Sequence, residues 1–122
     1  MKTMKTLASF FVVGSVLLAC STSDTGSSSG GADPPNTVTI QNYEFSPKEI
    51  TVKAGDTVHW KWLSGTHSVQ SGKNCMPDST FTSGKAVSGG TFDFKFDKAG
   101  TFDYYCDPHC LTQGMTGKVI VQ

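Results

Sequence analysis

No arginine occurs in the 122 residues, and ten lysines balance ten carboxylates. A chain without guanidinium groups or a lysine cluster lacks the electrostatic footprint of a nucleic-acid binder, so no nucleic-acid partner is expected. Long apolar runs are scarce as well. The one run of any length, Leu7 to Ala19, is broken only by Ser9, Gly14 and Ser15, and it is shorter than the roughly 20 residues a helix needs to cross a bilayer. From Thr37 to Gln122 no window shows a convincing helical period. Neither a Ser, His and Asp constellation nor a working pair of carboxylates is suggested by spacing, so the chain is not expected to be an enzyme. Three histidines and four cysteines are too few for a second, His-rich metal cluster.

What the chain does have begins at its N-terminus. Lys2 and Lys5 precede the apolar run, and Cys20 closes it. That is the layout and size of a secretory signal, so residues 1–19 are expected to be an export signal. Leu17-Leu18-Ala19-Cys20 resembles the lipobox of bacterial lipoproteins, which implies cleavage before Cys20 and a diacylglycerol on its sulfur. The expected location is the bacterial cell envelope, lipid-anchored and facing the periplasm or the exterior. An ordinary cleavable signal with an unmodified Cys20 is the alternative. Residues 20–36 are mostly Ser, Thr, Gly, Asp and Pro, without a large apolar side chain after Cys20, which cannot offset the entropy of ordering and reads as a flexible tether. Once Lys2 and Lys5 are removed, eight lysines face ten carboxylates, too weak a charge to steer the domain toward any one partner.

From Thr37 to Gln122 the pattern is strand throughout. Val38 and Ile40, Ile50 and Val52, then Val58, Trp60 and Trp62 each alternate with polar neighbours. Phe92, Phe94 and Phe96 share a face opposite Asp93, Lys95 and Asp97, and Val119 and Val121 end the chain in the same rhythm. Turn chemistry falls between these runs at Ser46-Pro47, Ala54-Gly55-Asp56, Ser64-Gly65, Ser88-Gly89-Gly90 and Ala99-Gly100. Short strands with such turns predict an all-β antiparallel sandwich formed by residues 37–122 as a monomer. Its size allows an adequate but not generous core, so a metal or a disulfide would add useful stability.

Strand phase also points to the chemistry. Counting by twos from Phe102 reaches Tyr104 and then Cys106, so if the phenyl ring faces the core, the thiol does too. Pro108 ends the strand and leaves His109 on a loop that runs to Met115. With His67 upstream, the set is one thiolate, two imidazoles and one thioether. A His₂Cys trigonal arrangement with a weak axial thioether is a copper site suited to electron transfer. Zinc in a Cys and His site is chemically allowed but leaves Met115 without a role. A copper module for storage or delivery would use the same residues. A dinuclear site using Cys106 and Cys110 would need a histidine where Gly114 stands.

The segments Asn42-Tyr43-Glu44-Phe45-Ser46-Pro47, Ile50 to Val58, Thr66-His67-Ser68-Val69, Gly100 to His109 and Gly114 to Val119 resemble cupredoxins of the plastocyanin and pseudoazurin type. The resemblance implies an eight-stranded Greek-key β-sandwich with one type 1 copper ion held by His67, Cys106, His109 and Met115. It also implies that His109 lies at an exposed apolar end and passes single electrons to and from redox partner proteins. Five residues separate His109 from Met115, more than is typical of the family, which leaves Gln113 as a rival axial ligand. Phytocyanins are similar in carrying a cysteine just after the second histidine ligand, which implies a Cys75 to Cys110 disulfide; two reduced thiols are the alternative. Ser68 is a candidate hydrogen-bond donor to the Cys106 sulfur. His59 is expected to face solvent, Trp60 and Trp62 to fill the core, and Tyr105 to lie near the surface beside Cys106.

Overall fold

The computed structural model describes residues 32–122. The expected signal segment, Cys20 and the tether as far as residue 31 lie outside the described residues. Alternating apolar residues extend because every second side chain can then be buried on one face of a sheet. Eleven strands form among the described residues: β1 (Thr37–Gln41), β2 (Glu44–Ser46), β3 (Glu49–Val52), β4 (Thr57–Trp62), β5 (Thr66–His67), β6 (Gln70–Lys73), β7 (Met76–Thr82), β8 (Val87–Ser88), β9 (Thr91–Lys95), β10 (Gly100–Tyr105) and β11 (Thr116–Val121), with a single helical turn, α1 (Cys110–Gln113), before the last.

One sheet has the order β2-β1-β4-β9 and the other β3-β11-β10-β6-β7, while β5 and β8 pair by themselves. The all-β sandwich expected from the alternation is present, with two differences. The strands number eleven instead of eight, because the stretch from Thr66 to Ser88 holds four short strands that carry no apolar alternation; in β7 only Phe81 is buried. The sheets are also mixed. β1 runs parallel to β4, and β3 runs parallel to β11, because the chain leaves the first sheet after β2, forms β3 at an edge of the other, and returns to the first for β4.

The inward faces meet around Trp60, whose ring centroid lies 5.4–6.4 Å from those of Phe81, Phe92, Phe96 and Tyr104. Such pairs add about 0.5–1.5 kcal/mol each beyond the area they bury. Val38, Ile40, Val58, Val119 and Val121 complete the core. Gly117 is required where β11 passes Tyr104, since a Cβ there would collide with the phenol ring. Away from the core, His59 is half-buried and its Nδ1 lies 2.8 Å from the Asp93 carboxylate on the neighbouring strand. Asp33 pairs with Lys61, and the Asn36 carbonyl accepts the His59 N–H at 3.0 Å, so the residues just before β1 already lie against the sheet.

Candidate metal centre

The centre is built at the end of β10. Tyr104 and Cys106 both face inward and are buried, the phase that counting from Phe102 predicts. Pro108 then turns the chain. Cys106 N donates to the Met115 carbonyl at 3.0 Å and His109 N to the Cys106 carbonyl at 3.1 Å, so the loop closes on itself and its two ends lie side by side. Within it, Gln113 N donates to the His109 carbonyl at 2.9 Å and Gly114 N to the Cys110 carbonyl at 3.0 Å. The residues between His109 and Met115, whose number departs from the family pattern, are taken up by this one turn of helix, which is too short to show a period in the sequence. Met115 returns 1% exposed beside Cys106, whereas Gln113 is exposed.

His67 arrives from the other direction. β5 pairs with β8, and β6 pairs with β10 through Ser71 opposite Tyr104 and Gln70 opposite Tyr105, which brings the residues just before β6 alongside Cys106. His67 Nδ1 lies 3.8 Å from Cys106 Sγ, His109 Nδ1 lies 3.3 Å from it, and the two Nδ1 atoms are 3.2 Å apart. Three donors each about 2.0–2.3 Å from one shared ion would stand roughly this far apart, so the residues fit a single metal ion in trigonal array. No other group of three or more His, Cys, Asp or Glu side chains converges in this way among the described residues.

Comparison with known proteins supplies the family. The model for copper-binding proteins of the plastocyanin/azurin family matches residues 33–122. The chain belongs to that family. It is 33% identical over 88 residues to an amicyanin from Paracoccus versutus, covering 70% of this chain and 63% of that protein. It is 35% identical over 85 residues to a chloroplast plastocyanin from Tetradesmus obliquus, covering 64% of this chain and 58% of that protein. The chain thus spans less than two thirds of these curated relatives. Among solved structures, a purple cupredoxin from Nitrosopumilus maritimus superposes with a TM-score of 0.63 at 28% identity, over 70% of this chain and 98% of the other.

The surroundings of this cupredoxin site tune its ligands. Burial raises the pKa of the Cys106 thiol, while the Ser68 N–H, 3.3 Å from the sulfur, acts the other way. A raised thiol pKa disfavours the free thiolate, which a bound cation would favour instead. The Ser68 hydroxyl is 4.0 Å from the sulfur and accepts the Asp107 N–H at 3.0 Å, which leaves the backbone N–H as the closer of the two Ser68 donors. Burial, and next the His109 ring, lower the pKa of His67, favouring the neutral imidazole a metal needs. The Ser64 backbone acts the other way on the His67 pKa, and Nδ1 is the ring atom turned toward Cys106 and His109. Gly65 (φ +75°) lies directly against the ring: a Cβ there would stand 2.5 Å from His67 Nε2. Gly65→Ala is therefore expected to displace the ring and weaken copper binding about 10–100-fold, measurable by competitive titration with a chelator.

Cys75 and Cys110 form a disulfide with Cα atoms 5.8 Å apart. The bridge ties the helical turn, and with it His109, to the tip of the β6–β7 hairpin. Tyr105 differs from its expectation: it is buried, on β10 in the interior of its sheet between β6 and β11. Burial raises its hydroxyl pKa, and the Asp107 and Asp78 carboxylates raise it further. Sequence reasoning did not find Tyr43, whose ring lies against both imidazoles, or the roles of Ser64 and Gly65 beneath His67. The turn pair Ser64-Gly65 just before a histidine ligand was the available signal for the last two.

Proposed function

We propose that this chain is an exported carrier of single electrons, not a catalyst, holding one copper ion between His67, Cys106, His109 and Met115 and exchanging electrons with redox partner proteins by outer-sphere transfer through the His109 edge. One observation supports this above all: Cys106, His67 and Met115 are buried, while His109 is only half-buried, so the ligand set has a closed interior and one ring toward the surface. The ion supplies a one-electron couple between Cu(II) and Cu(I) when bound. The protein's part is to keep the donors in place whichever state is present. Cys106 does so through its backbone hydrogen bond to Met115, His67 through close packing against Gly65, and His109 through the disulfide next to it. Burial of three of the four also argues for retention of the ion over ready delivery to another protein.

Export and lipid attachment at Cys20 complete the proposal: a leash from a membrane would hold the domain near its partners while letting it turn toward each. The Cys75 to Cys110 disulfide is in keeping with an oxidising compartment outside the cytoplasm.

The full chain loaded with Cu(II) is expected to show an intense thiolate-to-copper absorption, a type 1 EPR signal and a reversible one-electron wave in cyclic voltammetry. A colourless zinc form, or Cu(I) that a weak chelator removes, would sink the reading. In the same measurement Met115→Leu is expected to keep the colour and raise the potential, because loss of the axial donor disfavours the cupric state. No change with Met115→Leu, coupled with a change on Gln113→Leu, would transfer the axial position to Gln113.

A further inference from the structure

Gln41 pairs with Glu44, so Asn42 and Tyr43 form a two-residue hairpin loop between β1 and β2. Both stand in the left-handed region, at φ 47° and 62°. A loop with two left-handed residues favours Asn followed by Gly, since glycine takes the second position without a clash from Cβ. Asn42 agrees with that preference. Tyr43 does not: it is a large aromatic residue in a strained conformation with 52% of its surface exposed. Strain of this kind persists where the surroundings enforce it, and it concentrates where geometry serves a function.

The surroundings of Tyr43 are the two copper-binding imidazoles. Its ring meets His109 edge-on with centroids 4.9 Å apart and planes at 78°, and meets His67 at 5.9 Å and 86°. The same side chain stands between two surface recesses. One, of about 420 Å³, is lined by Ser64, Thr66, His67 and His109. The other, of about 260 Å³, is lined by Gln113, Gly114 and Met115. Tyr43 borders both, so the one side chain touches the histidine side and the Met115 side of the site.

We propose that Tyr43 is a positioning residue: its ring holds the His67 and His109 imidazoles in one orientation. The purpose of this device rests on the electron-transfer reading above, although its geometry does not. Both imidazoles direct Nδ1 toward Cys106, and a ring edge pressed against each from outside restrains rotation about its Cβ–Cγ bond. A site whose ligands are already oriented has less to rearrange when the charge on the metal changes.

Tyr43→Gly, which creates the favoured Asn-Gly loop, separates positioning from simple stability. In the metal-free full chain it is expected to leave Tm unchanged or raise it by about 2–5 °C. At the same time the ring proton resonances of His67 and His109 should broaden or double in NMR spectra, with those of His59 as the internal control. In the copper-loaded chain the electron self-exchange rate should fall about tenfold. Tyr43→Phe keeps the ring and should behave as the wild type. Tyr43→Asn, also tolerant of the left-handed region, should reproduce the glycine result if the glycine variant does not fold. Wild-type imidazole resonances and self-exchange in Tyr43→Gly would overturn the proposal, as would a lower Tm with those signals unmoved. A wild-type chain that bound no copper, yet whose imidazoles loosened in Tyr43→Gly, would sink the electron-transfer reading and uphold the positioning role.

Discussion

Cys106→Ser is expected to abolish the thiolate-to-copper band and to weaken copper binding by more than about 100-fold, beyond the range typical of losing a supporting contact. A serine hydroxyl stays protonated at neutral pH and offers a hard oxygen where Cu(I) prefers sulfur. The pocket would otherwise tolerate the change. Serine is close to cysteine in shape, its oxygen can accept the Ser68 N–H that now reaches Cys106 Sγ at 3.3 Å, and the Cys106 backbone bond to Met115 does not involve the side chain. The variant should therefore fold with a Tm near that of the metal-free wild type, so that loss of colour reports on the metal alone. An absorption spectrum and a copper titration check this. A variant that kept its colour would remove Cys106 from the ligand set and with it the proposed function.

The double variant Cys75→Ser, Cys110→Ser should lose about 3–4 kcal/mol of stability, the loop-entropy value for a bridge across a sequence separation of 35 residues. For a domain of this size that corresponds to a Tm lower by about 15–30 °C. The effect should be the same in the metal-free chain, because the bridge acts mainly by restricting the unfolded state. A second consequence is local: Cys110 follows His109 directly, so freeing the helical turn should loosen that ligand even where the domain stays folded. Thermal unfolding of the oxidised wild type, the reduced wild type and the double variant gives the first quantity, and the copper off-rate gives the second. Peptide mass spectrometry without reduction should find the link, and free alkylatable thiols at both positions would contradict it.

Much of the fold was legible because strand formation is a local event. β1, β3, β4, β9, β10 and β11 each carry the two-residue alternation that the sequence displays, and the same alternation puts Cys106 on the core side two places beyond Tyr104. β5, β6 and β8 were not legible. They are two to four residues long and made largely of Ser, Thr, Gly, Gln and His, so they carry no pattern to read: β6 forms beside β10, and β5 and β8 form only against each other. The burial of Tyr105 was hidden for a related reason: alternation says which side of the strand a residue faces, but not what covers that side.

The sequence by itself determined the all-β class, the choice of soft and imidazole donors, and hence the preference for copper, since residue chemistry and local period travel with the chain. Only the tertiary structure decided that His67 reaches within 4 Å of Cys106 and His109, that one helical turn returns Met115 to the core in place of Gln113, and that Tyr43 lies across both imidazoles. Those outcomes depend on how segments between nine and 66 residues apart in the sequence come together, where the free energy of burying a shared core, and no property of either segment alone, selects the register.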